Sequence, residues 1–111
     1  MRRALEKYPD AAGLAVVAND TGVGVRNPVE AYAELARAFD LPIFVDGVSA
    51  IGGYDIPVDQ WGIDLAVTSS NKALETAPGL GILSVSDRAW DIINSKSNTH
   101  RGWYYDLSMW K

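Results

Sequence analysis

The sequence predicts an α/β fold built on a mixed, mostly parallel sheet, and three observations carry that expectation. Leu14–Ala18 (LAVVA), Ile43–Val45 and Ile63–Thr68 are short apolar runs, partly β-branched, the pattern of strands buried on both faces. A segment of helical period separates the first two, so strand, helix and strand follow one another as a right-handed βαβ unit. The second and third runs then end in polar residues, Asp46 after one and Ser69-Ser70-Asn71-Lys72 after the other. In open α/β sheets, ligands bind at that carboxyl edge.

Taken in order, Arg2 to Tyr8 reads as a helix closed by Pro9-Asp10. After the first strand, Asn19–Asn27 (NDTGVGVRN) is polar and glycine-containing and reads as a loop. Asn27-Pro28-Val29-Glu30 opens the next helix, with Asn27 as cap, Pro28 at the first helical position and Glu30 at a capping-box spacing. Val29, Tyr32, Ala33, Ala36 and Phe39 share one helical face. Pro42 marks the way out to the second strand. Gly47–Gly53 (GVSAIGG) is a turn whose small residues allow close approach of backbone or ligand.

Val58–Gly62 makes one helical turn before the third strand. Ala77-Pro78-Gly79 turns the chain into Leu80–Val85 (LGILSV). That connection is too short for a crossover helix, so the fourth strand is expected to run antiparallel to the third. Ser86 then caps a helix that continues to the neighbourhood of Asn94, with Ala89, Trp90 and Ile93 toward the core. Ser95–Gly102 reads as a polar loop. Trp103 and Trp110, in the final stretch, are expected to pack against a further domain or subunit.

Composition narrows the function classes. A chain of 111 residues holds one modest domain with a real core. At 48% hydrophobic and 22% charged it is ordinary for a globular protein. A net charge of -4 and the lack of a basic run argue against a nucleic-acid footprint. No apolar run is long enough to span a bilayer. The basic start MRRALEKYPD has no apolar stretch behind it, so no secretory signal is expected and the cytoplasm is the default location. The chain has no cysteine, hence no disulfide frame or thiolate chemistry. Its single histidine, His100, leaves no multi-histidine metal site and reads as a surface loop residue.

The chemistry concentrates at two positions. Lys72, at a strand's carboxyl end beside hydroxyls, is either a solvated lysine or an amine held for carbonyl chemistry. If the second and third strands are neighbours, Asp46 and Lys72 face one crevice. Pyridoxal phosphate needs that pair: an amine for its aldehyde, and a carboxylate for its pyridinium nitrogen that keeps the ring an electron sink. Nearby hydroxyls and amides suit its phosphate and phenolic oxygen.

Four blocks, in matching order and spacing, carry a family resemblance: Thr21–Pro28 (TGVGVRNP), Phe44–Gly53 (FVDGVSAIGG), Trp61–Leu74 (WGIDLAVTSSNKAL) and Pro78–Ala89 (PGLGILSVSDRA). The stretch from Leu14 to Trp110 resembles the class V aminotransferases of the pyridoxal-phosphate-dependent fold type I. It is most similar to the branch acting on alanine or serine with glyoxylate, or on 2-aminoethylphosphonate with pyruvate. The resemblance implies a three-layer α/β large domain, with Lys72 as the Schiff-base lysine and Asp46 as the pyridinium partner. It also implies that Val48 packs on a ring face and that Thr21 bonds near the phenolic oxygen. Ser70 and Asn71 are placed near the phosphate or ring edge. Amino-acid and 2-oxo-acid substrates follow from it, as does a homodimeric parent.

Two departures stand out. The family's loop after the first strand reads His-x-Glu-Ser/Thr-Ser/Thr-Thr-Gly, where this chain has Ala18-Asn19-Asp20-Thr21-Gly22-Val23-Gly24. Asn71 replaces a frequent glutamine. Family members are also several times longer, so the resemblance implies that residues 1–111 are the central part of the large domain. The phosphate loop would lie upstream, and the small domain with its carboxylate-binding arginine downstream. A lyase or desulfurase of the same fold and a non-catalytic remnant are the alternative readings.

Overall fold

The computed structural model describes residues 1–95 and 102–110. Helix α1 (Arg2–Lys7) leads to strand β1 (Leu14–Val17). A short hairpin, β2 (Asn19–Asp20) and β3 (Val25–Arg26), precedes helix α2 (Val29–Ala38) and strand β4 (Ile43–Asp46). One helical turn, α3 (Val58–Trp61), precedes strand β5 (Leu65–Ser69). The chain then returns as β6 (Gly81–Val85) and continues into α4 (Asp87–Ser95). Two 3-10 turns, Trp103–Tyr105 and Leu107–Met109, follow.

The main sheet has the order β1-β4-β5-β6. β1, β4 and β5 are parallel and β6 is antiparallel to β5, as the connection lengths imply. In register, Val17 lies beside Asp46 and Asp46 beside Val67. Helix α2 turns Val29, Ala33 and Ala36 onto Leu14, Val16, Ile43, Val45 and Ala66, and these residues form the core.

Three local expectations change. The strands are not buried on both faces: β1 and β4 alternate, with Leu14, Val16, Ile43 and Val45 buried under α2. On the opposite face Val17 is 43% exposed and Phe44 37%. A continuous apolar run states that both faces avoid water, but not that one chain segment covers both. Second, the 19–27 segment is a closed hairpin rather than an open loop. The Asp20 carboxylate accepts hydrogen bonds from the Gly22 and Val23 backbone N–H groups, and Gly24 takes φ +67. Third, Asn27 does not cap α2. Pro28 occupies the cap position without a side-chain bond, and the Asn27 amide instead donates to the Val17 carbonyl at 2.8 Å. An orphan carbonyl at the sheet's end outcompetes the helix for the same side chain.

Other readings hold. Gly62 closes α3 in the left-handed conformation. Ser86 caps α4 by accepting the Ala89 N–H at 3.0 Å, with Ala89 buried and Trp90 and Ile93 half-buried. His100 and most of the predicted polar loop lie outside the described residues. Trp103 and Trp110 are exposed and lie against each other with ring centroids 5.7 Å apart.

At the amino edge of the sheet, the buried Asp64 joins three elements. One carboxylate oxygen accepts the Ile43 N–H at 3.0 Å and the other the Ser86 hydroxyl at 2.9 Å. The Ser86 N–H donates to the Asp64 carbonyl. Arg88 stands 3.7 Å from the carboxylate and forms its closer ion pair with the exposed Asp40.

Candidate active site

The opposite, carboxyl edge holds the chemistry. A cleft of about 350 Å³ there is lined by Val17, Asn19, Asp20, Thr21, Asp46, Val48, Ser49 and Lys72. Four residues singled out by sequence, Thr21, Asp46, Val48 and Lys72, therefore come together from three separate loops. Asp46 ends β4 next to Val17 and Val67. Its Oδ1 accepts the Val48 N–H at 3.0 Å. Its Oδ2 has no hydrogen-bond partner among the described residues, so it is available to a ligand. Lys72 is exposed, three residues beyond the end of β5, and its amine is likewise unpaired among the described residues.

The two other sequence candidates sit differently. The Ser70 side chain is buried and occupied: its hydroxyl donates to the Ala77 carbonyl at 2.7 Å and accepts the Leu80 N–H at 3.3 Å. Its own carbonyl receives both the N–H and the hydroxyl of Thr76. These bonds close the base of the 70–80 loop that carries Lys72. Asn71 is exposed at the loop's start, outside the residues that line the cleft. Ser49, Asn19 and Asp20 line the cleft and were not singled out. Ser49 had a signal, being three residues past Asp46 within a turn of small residues.

Neighbouring groups steady the cleft walls. The Tyr54 hydroxyl donates to the Ala18 carbonyl at 3.3 Å, and the Arg26 guanidinium stacks 3.9 Å over the Tyr54 ring. Both contacts tie the β2–β3 hairpin, and with it Thr21, to the turn after β4. Ala18, at the position of the family's histidine, is fully buried on the α2 side of the sheet. The Ala18 side chain therefore belongs to the core beneath the hairpin and not to the lining of the cleft.

The donor set suits pyridoxal phosphate: an unpaired amine, a carboxylate with one oxygen held and one open, a hydroxyl and an apolar side chain around one cleft. Among the described residues no helix is long and apolar enough to cross a membrane.

Comparison with known proteins gives the family. Residues 2–98 match the family model "Aminotransferase class-V". The chain is 39% identical, over its whole length, to an uncharacterized aminotransferase of Methanocaldococcus jannaschii, of which it covers 29%. It is 41% identical over 78 residues, 68% of this chain and 20% of the relative, to the serine–glyoxylate aminotransferase of Arabidopsis thaliana. The crystal structure of alanine–glyoxylate aminotransferase from Nostoc sp. superposes with a TM-score of 0.90 at 37% identity, covering 98% of this chain and 29% of that one. The chain thus spans less than a third of the length of these relatives. With the family model matching nearly its full length, the chain belongs to the class-V aminotransferase family.

Proposed function

We propose that residues 1–111 are the central part of the large, cofactor-binding domain of a fold-type-I, pyridoxal-phosphate-dependent aminotransferase. The observation that carries this reading is the meeting of Lys72 and Asp46 in one cleft, from the ends of adjacent parallel strands. When bound, the cofactor supplies an aldehyde carbon that takes up the donor's nitrogen and a ring that accepts the electron pair left at the donor's α-carbon. The rest is done by side chains of this chain. The Lys72 amine would be the attachment point and, once displaced by the donor, would take the proton from the donor's α-carbon and pass it to the cofactor carbon that bears the nitrogen.

Asp46, steadied by the Val48 N–H, presents its open oxygen to the ring nitrogen and keeps a proton there. Val48 would pack against the ring and Thr21 would bond the ring's oxygen substituent. Ser70 serves by closing the base of the Lys72 loop. The donor is an amino acid of the alanine or serine type and the acceptor a 2-oxo acid such as glyoxylate or pyruvate. The names of the Arabidopsis and Nostoc relatives support that choice. The whole enzyme is read as a cytoplasmic homodimer.

The test is to incubate the chain with pyridoxal phosphate, reduce with borohydride and map the phosphopyridoxyl group by mass spectrometry. It should fall on Lys72 and disappear in Lys72→Ala while the far-ultraviolet circular dichroism is kept. Label concentrated on Lys7 or Lys96 instead would overturn the assignment.

A further inference from the structure

The turn that follows Asp46 touches the loop that carries Lys72 at one unusually close point. A Cβ built on Gly52 would lie 2.7 Å from Leu74 Cδ2 and 3.2 Å from the carbonyl carbon and oxygen of Ala73. Gly53 is nearly as close, with its Cβ position 3.2 Å from Ala73 Cβ. Ala73 and Leu74 are the two residues directly after Lys72. The turn itself is stiff: Gly47 donates to Val67, Ala50 and Ile51 donate back to Gly47, and Gly53 and Tyr54 to Ala50. Ile51 lies over the bare α-carbon of Gly47, where a Cβ would be 2.5 Å from its Cδ1. The base of the Lys72 loop is closed by Ser70, so the Gly52 contact is its second support.

We infer that Gly52 is a positioning residue: its bare α-carbon lets the Lys72 loop seat directly on the Asp46 turn and so sets where the Lys72 amine stands relative to the Asp46 carboxylate. The inference rests on the proposed attachment at Lys72 and extends it to a residue that touches neither cofactor nor substrate. Both consequences of a side chain at Gly52 follow from its geometry. Its φ of +97 strains any L-residue there, and the added carbon pushes on Leu74 and Ala73. The first effect is local to the turn, and the second moves Lys72. Trimming Leu74 removes the closest part of the second, leaving the 3.2 Å approach to Ala73, and does not touch the first, which makes the two separable.

The experiment measures the borohydride-trapped phosphopyridoxyl label on Lys72 relative to Lys7, which serves as an internal exposed reference. In Gly52→Ala the ratio should fall about tenfold, the scale on which sub-ångström to ångström misplacement acts. Adding Leu74→Ala should recover at least about half of that loss on a logarithmic scale, because the 2.7 Å contact is gone. A ratio in Gly52→Ala that stays close to that of the unsubstituted chain overturns the inference. So does a loss that Leu74→Ala leaves untouched, since backbone strain alone then explains it. If Gly52→Ala lacks folded circular dichroism, Leu74→Ala alone decides. Removing the seat should lower the Lys72 preference, and an unchanged preference overturns the inference. No Lys72 preference in the unsubstituted chain is a different result, which overturns the attachment reading and this inference together.

Discussion

Replacing Asp64 tests the reasoning about the sheet's amino edge. The carboxylate is buried, at 4% exposure, and satisfies two donors from different elements, the Ile43 N–H and the Ser86 hydroxyl. Asp64→Ala leaves the buried Ile43 N–H without a partner, at about 1–3 kcal/mol for the unmet donor. It also removes a charge-assisted bond from Ser86, for a combined loss of about 3–4 kcal/mol. With a urea dependence of about 1–1.5 kcal/mol per molar for a chain of this size, the unfolding midpoint should fall by roughly 2–4 M.

Asp64→Asn separates the contributions. The asparagine carbonyl can still accept the Ile43 N–H, and its amide can donate to Ser86 Oγ, which has a second lone pair beside the one accepting the Ala89 N–H. Charge assistance and the 3.7 Å pairing with Arg88 are then lost, about 1–1.5 kcal/mol. Urea unfolding followed by circular dichroism at low protein concentration, at constant slope, reads both values. A loss below about 1 kcal/mol for alanine, or equal losses for alanine and asparagine, would refute the picture of a buried acceptor shared by two donors.

Two further outcomes follow from other parts of the fold. Ser86→Ala removes the α4 cap together with the Asp64 partner and should cost about 2 kcal/mol in the same unfolding assay. Phe44 and Val17 leave an apolar sheet face open, so the chain should self-associate in dilute buffer. Phe44→Ser should shift sedimentation velocity toward monomer while changing stability by less than about 1 kcal/mol.

Period and punctuation alone located the four strands of the main sheet, the βαβ unit, the antiparallel return and the Ser86 cap, because each depends on residues close in sequence. Ser-Ser-Asn-Lys after one apolar run and Asp46 after another placed both groups at strand ends, and parallel neighbours made a shared crevice an inference rather than a guess. Tertiary structure decided what depends on competition between distant groups. Asn27 was free, by sequence, to cap a helix, but the Val17 carbonyl ten residues earlier took its amide. Ser70 stood among hydroxyls available to a ligand until Ala77 and Leu80 engaged it. Asp64 drew no reading of its own within the Ile63–Thr68 run, and only the convergence of Ile43 and Ser86 made it a buried acceptor. The apolar runs said which residues avoid water. Which face another element covers is set by where α2 packs, and that follows from the path of the whole chain.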